Sequence, residues 1–157
     1  MATIGKQSYT FDEDLELKDA GLLAANENAT QVDSSDAIID LGEGRCNGTL
    51  VINATAVDVA GGDEVYNIQT MYSNSSTHAS GVVTGISFPL GDAAGLATLF
   101  AAPTVSPDTD VGVGRYEIPI SNVFNGVSYR YLLLAVDLTG THTTGINFIA
   151  YVSKKNS

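Results

Sequence analysis

A chain of 157 residues, 44% of them hydrophobic, has the length for one domain with a buried core. Its formal charge of −11, from 18 acidic groups against 7 basic ones, excludes a nucleic-acid surface built on clustered Lys and Arg. No apolar run approaches the roughly 18 residues of a membrane-spanning helix, and the single cysteine, Cys46, excludes an intramolecular disulfide.

The charge is uneven. Residues 1–43 hold ten acidic groups against Lys6 and Lys18, a net of −8, which leaves −3 for the remainder. Solubility accounts for such acidity, and an acidic arm that meets a basic partner surface is the functional alternative. The opening residues lack the apolar stretch of a secretory signal, and the lone cysteine suits a cytosolic folding site.

In chain order, residues 8–17 form a short edge strand with Tyr9, Phe11, Leu15 and Leu17 as its apolar positions. Residues 18–36 show little periodicity. A short strand follows at 37–41, then turn chemistry at 42–48 with three glycines. Residues 48–57 alternate, with Leu50, Ile52, Ala54 and Ala56 on one face and Val51, Asn53 and Thr55 on the other. Gly61-Gly62-Asp63 suits a hairpin. Residues 64–73 alternate again, setting Tyr66, Ile68, Thr70 and Tyr72 against Asn67 and Gln69.

A polar loop leads to a strand at 81–90, which Pro89 limits or marks as an edge. Residues 92–102 are the one helix candidate, with Asp92 as N-cap and Pro103 as stop. A Pro, Asp and Gly loop runs to Gly114, then a strand at 115–120 and a turn at SNVFNG. Two strands close the chain, at 129–138 and 145–153, with a Thr, Gly and His loop between them that reads as hairpin chemistry. The first is almost continuously apolar from Tyr131 to Val136, which predicts cover on both faces. The second alternates, with Ile146, Phe148, Ala150 and Val152 on one face. About eight strands and at most one short helix make an all-β chain, an antiparallel β-sandwich or jelly roll.

Chemistry-bearing patterns are weak. His78 and His142 each sit in a polar loop, and pairing with Asp58 or Asp137 lacks any nucleophile-elbow or Cys-His signature. Two distant histidines and one cysteine lack zinc-ligand spacing. Asp12, Glu13 and Asp14, or Asp108 and Asp110, offer oxygens to calcium, but the twelve-residue EF-hand pattern is missing. Sequons at Asn28, Asn47, Asn53 and Asn74 read as chance in a chain rich in Asn, Ser and Thr. No Gly-rich phosphate loop follows a strand, and no carboxylate pair is placed as a glycosidase needs. The expectation is a protein that is not an enzyme, with no catalytic residues, no cofactor and no metal.

Four phrases stand out: AIIDLGEGR at 37–45, the strand–turn–strand at 50–73, GRYEIPI at 114–120, and YRYLLLAVDL with GINFIAYV within 129–152. In them the chain resembles the small jelly-roll cement (decoration) proteins of tailed-bacteriophage capsids. Asp40-Leu41-Gly42, Arg130-Tyr131 and the final strand at 148–152 occupy the places of that family's turn, penultimate strand and closing strand. The resemblance covers roughly residues 35–153. The chain departs from the pattern in its N-terminal opening, echoed only by Lys18-Asp19-Ala20, and in a longer, more acidic first 36 residues.

The resemblance implies an acidic arm at 1–36 and a jelly-roll β-sandwich at 37–157. It implies a structural virion protein, made in the host cytoplasm, that binds the outside of a shell of major capsid protein and bridges neighbouring capsomers. A homo-oligomer, dimer or trimer, is expected, with no nucleic acid or membrane partner. Contact residues are sought in the arm, at Asp12, Glu13, Asp14 and Glu16, and at the loop tips near His78 and His142. The alternative is a non-catalytic β-sandwich binding module, carbohydrate-binding or tail-associated. Tyr9, Tyr66 and Tyr72 would then be stacking platforms, although the chain has no Trp.

Overall fold

Ten of the twelve described strands build two antiparallel sheets packed face to face. The computed structural model describes residues 13–19, 21–30, 35–92, 94–95 and 112–154. In one layer, β1 (Glu16–Lys18) and β2 (Leu22–Leu23) both pair with β12 (Ile146–Lys154), followed by β5 (Asn47–Val57) and β8 (Gly114–Ser121). In the other, β3 (Glu27–Asn28) and β4 (Ile39–Asp40) both pair with β11 (Tyr131–Thr139), followed by β6 (Val65–Ser73) and β7 (Val83–Gly91). The last two, β9 (Val123–Phe124) and β10 (Val127–Ser128), form a small hairpin. Taking β1 with β2 and β3 with β4 as single broken rungs leaves eight. Numbered along the chain, the layers run 1-8-3-6 and 2-7-4-5, which is jelly-roll order.

Alternation builds the core. Leu50, Ile52 and Ala54 on β5, Tyr66, Ile68, Thr70 and Tyr72 on β6, Leu132, Leu134 and Val136 on β11, and Ile146, Phe148, Ala150 and Val152 on β12 are all at most 2% exposed. Each large apolar side chain buried this way contributes about 1.5–3 kcal/mol. Leu133, on the outer face of β11, is only 3% exposed, so that strand is covered on both sides as its apolar run predicts. Ala56 departs from its expected face. A bulge sets Phe148 opposite Ala54 but Asn147 opposite Ala56, so the alternation slips by one residue and Ala56 turns to solvent.

Two expected hairpins are instead crossings between layers. β5 and β6 lie in different sheets, and so do β11 and β12. A Gly-rich break between two alternating runs looks the same locally whether the chain returns beside itself or arches over the roughly 10 Å to the facing sheet. The true tight hairpin lies in SNVFNG, where Asn125 and Gly126 have φ of 50° and 79°, as a type I′ turn requires. Gly145 is needed where the arch enters β12, since its φ is 89° and a Cβ there would collide with the carbonyl oxygen of Leu23.

The acidic N-terminal segment is part of the sandwich over its described residues. Leu15, Leu17, Leu23 and Ala29 join the central core, so residue 36 does not divide an arm from a domain there. Of the expected strand at 8–17, residues 16–17 lie in β1, residues 13–15 form a 3₁₀ turn before it, and 8–12 lie outside the described residues. Lys18 is 2% exposed, with Nζ donating to the Asp19 and Gly21 carbonyls at 2.7 and 2.8 Å and lying 5.0 Å from the Phe148 ring centroid. Burial lowers its pKa, against the pull of Asp19 and Glu27.

Of the helix expected at 92–102, Asp92 does cap, its Oδ1 accepting the N–H groups of Ala94 and Gly95, and residues 96–102 lie outside the described residues. β7 and β8 are outermost among the described strands, and each carries a proline, Pro89 and Pro119, as edge strands tolerate.

Candidate functional site

The pairing of β6 with β11 sets Ser73 beside Tyr131 at one end of the sandwich and Val65 beside Thr139 at the other. His78, in the β6–β7 loop, belongs to the first end, and His142, in the β11–β12 loop, to the second. The two histidines therefore never share a site. Of the acidic candidates, Asp12 lies outside the described residues and Glu13 opens the 3₁₀ turn. Asp14 is exposed on a cleft wall, and Glu16 is half-buried on β1 opposite Tyr151. Among the described residues, no three His, Cys, Asp or Glu side chains are grouped to hold a metal.

At the His142 end, carboxylates hold loops. Asp58 Oδ2 accepts the N–H groups of Thr143 and Thr144, both at 2.7 Å, and its Oδ1 accepts that of Ala60 at 3.1 Å. These bonds, with Thr144 foremost, hold its pKa far below the usual carboxylate range. A His142–Asp58 catalytic pair is thus not formed: His142 Nε2 lies 3.0 Å from the Ala24 carbonyl oxygen, and its ring packs on Tyr66 at 6.3 Å. Asp63 Oδ1 accepts from Thr141 N, and the buried Glu64 carboxylate accepts from the N–H groups of Gly61 and Asp63. Each acid ties its own arch or joins one arch to the next.

At the His78 end the same economy holds. Arg130 forks onto Asp40, Nε to Oδ1 at 2.9 Å and an Nη to Oδ2 at 2.7 Å, and Glu43 stands 3.6 Å from the guanidinium. Hydrogen bonds from Arg130, then from the Gly42 N–H, bring the Asp40 pKa down to about 2. Its folded pKa is depressed, so the stability it contributes is present above the ordinary value near 3.8 and fades as pH falls toward 2. Both partners are exposed, which keeps that contribution small.

Asn122 is the buried counterpart, at 1% exposure. Its Oδ1 accepts from Cys46 N at 2.7 Å, and its Nδ2 donates to the carbonyls of Gly44 and Tyr129 at 2.9 and 2.8 Å. The Asn74 amide is likewise used on both sides, by Arg130 N and by the Ser128 carbonyl.

Two shallow clefts open here. One, about 620 Å³, is lined by Asp14, Leu15, Ile38, Ile39, Asp40 and Lys154, and the other, about 430 Å³, by Asn74, Ser75, Ser80, Gly81, Val127 and Tyr129.

The sugar-stacking platforms are not on the surface. Tyr66 and Tyr72 are 0% and 1% exposed because they occupy the inward positions of β6, and burial pushes both phenols up to about 12. Tyr9 lies outside the described residues. Two roles were invisible in the sequence. Asp40 and Arg130 stand 90 residues apart, and only their presence in separate family-like phrases marked them. Asn122 had no signal beyond its place in a turn.

No protein-family model matches the chain, and no curated protein or solved structure matches it either. The functional reading rests on the geometry and on the sequence phrases.

Proposed function

We propose that this protein is a non-enzymatic capsid cement, which docks on the outside of a tailed-phage shell and bridges neighbouring capsomers. One observation supports this reading above the others. Six polar side chains at the two loop-bearing ends hold loop backbones, Asp58, Asp63 and Glu64 at one end and Asp40, Asn74 and Asn122 at the other. Loops fixed this way lose little further entropy on docking, which favours a passive clamp over a moving catalytic site. A lattice of repeated sites then multiplies a weak single contact. The net charge of −11 steers such a clamp toward a basic surface.

Mixing the protein with expanded, undecorated shells should give ordered, stoichiometric density on their outer surface by electron cryomicroscopy. Shells that stay smooth at saturating protein would sink the proposal. The acidic contact residues need a gentler test than deleting residues 1–17, because that deletion also takes Leu15 and Leu17 out of the core. Asp14→Asn with Glu16→Gln should weaken shell binding by about two- to fivefold and flatten its salt dependence, with thermal stability followed alongside. Unaltered affinity would take the N-terminal acids out of the contact.

A further inference from the structure

The β6–β7 loop holds a histidine whose ring nitrogens are buried and poorly paired. His78 has a left-handed backbone, φ 53°, a region that residues other than glycine enter at some cost. Both its ring nitrogens are shut off from water, and neither reaches a partner with good hydrogen-bond geometry. A neutral imidazole carries one donor and one acceptor, so burial is poorly compensated at both.

The surroundings offer a cation two partners, the Tyr131 backbone and Asp36, and burial outweighs both. Asp36, on the excursion between β3 and β4, is the charged group facing the ring among the described residues, and its Oδ2 already accepts from Asn28 Nδ2 at 2.9 Å. From β11 the ring meets the backbone of Tyr131. Residues 74–82 contain no second titratable side chain. The roots of the loop are fixed: Ser73 Oγ donates to the Ser80 carbonyl and accepts from Ser75 N, and Asn74 bonds to Ser128 and Arg130. At the tip, His78 N donates to the Ser75 carbonyl at 3.0 Å and the Ser75 and Thr77 hydroxyls lie 3.2 Å apart, while the His78 ring faces the β11 backbone.

We infer that His78 is a proton-operated latch: neutral, its ring holds the tip closed, and protonated, it swings to water and opens the tip beside the cleft lined by Ser75, Ser80, Val127 and Tyr129. This does not depend on the capsid reading. Burial holds the imidazole pKa below its ordinary 6.5, with the Tyr131 backbone and Asp36 pulling the other way. The sign follows. A pKa depressed in the closed state leaves the latch fully effective above about 6.5 and weakens it as pH falls through that value, by at most about tenfold per pH unit.

Amide exchange of residues 76–81, corrected for intrinsic rates, should show loop opening rise, by up to about tenfold, between about pH 7.5 and about pH 5.5. His78→Asn tolerates the left-handed backbone but does not titrate, so its loop should open equally at both values. An equal pH response in the variant, or none in the natural protein, overturns the latch. So does an imidazole that titrates by NMR at or above its ordinary pKa.

Discussion

Phe148→Ala should lower the free energy of unfolding by about 3–5 kcal/mol, read as a fall in the urea midpoint at unchanged slope. The ring is fully buried, and its neighbours explain the size of the loss. Across the ladder it faces Ala54, and two residues along β12 on the same face stands Ala150. Three alanines in a row could not close over the space, so most of the cavity would persist. The ring also lies 5.0 Å from the buried Lys18 ammonium, whose desolvation it partly offsets. Exchange protection over residues 16–23 should therefore fall before that of the sheet centres. Phe148→Leu keeps most of the volume and should cost about 1–2 kcal/mol. A loss below about 1 kcal/mol for the alanine variant would mean that the two sheets close up at this point.

Asn122→Ala is expected to cost about 3 kcal/mol, because it strands the Cys46 N–H and the carbonyls of Gly44 and Tyr129 in a buried place. The damage should stay local, seen as faster exchange over residues 44–46 and 122–130 with the sheets intact. Asn122→Asp separates hydrogen bonding from size. At neutral pH its carboxylate would face two carbonyl oxygens, and it should be less stable than the alanine variant. Burial and those carbonyls raise the pKa of such an acid, so its stability should recover as pH falls and the group takes up a proton. A variant whose deficit is the same at about pH 7 and about pH 4.5 would show that water reaches the site.

How these elements read in the sequence depends on the range of the interaction that fixes them. The inward faces of β5, β6, β11 and β12 were legible because side chains alternate with a period of two and burial selects one set. Even the cover over Leu133 was legible, from an unbroken apolar run. Ala56 was missed because a bulge is set by the partner strand and not by its own neighbours. The arches at 58–64 and 140–145 were missed for a related reason: turn residues state that the chain reverses, not which sheet receives it. At the sites, Asp58 and Asn122 act through backbone groups up to 86 residues away, and backbone N–H and C=O groups leave no residue-type signal.

The chain order within the layers also governs how the molecule comes into being. Among the described strands β12 is the sole neighbour of β1 and β2 and the inner neighbour of β5, so β1 and β2 wait for β12. During synthesis, β5 and β8 can pair, but their layer has no complete core until residue 154 has left the ribosome. Closing so long a span before any contact rewards it places folding on the slow side of the range, about milliseconds to seconds. Nascent chains should remain protease-sensitive until β12 has emerged and then become resistant in a single step. Truncation before β12 should leave a chain that chaperones hold and the cell degrades.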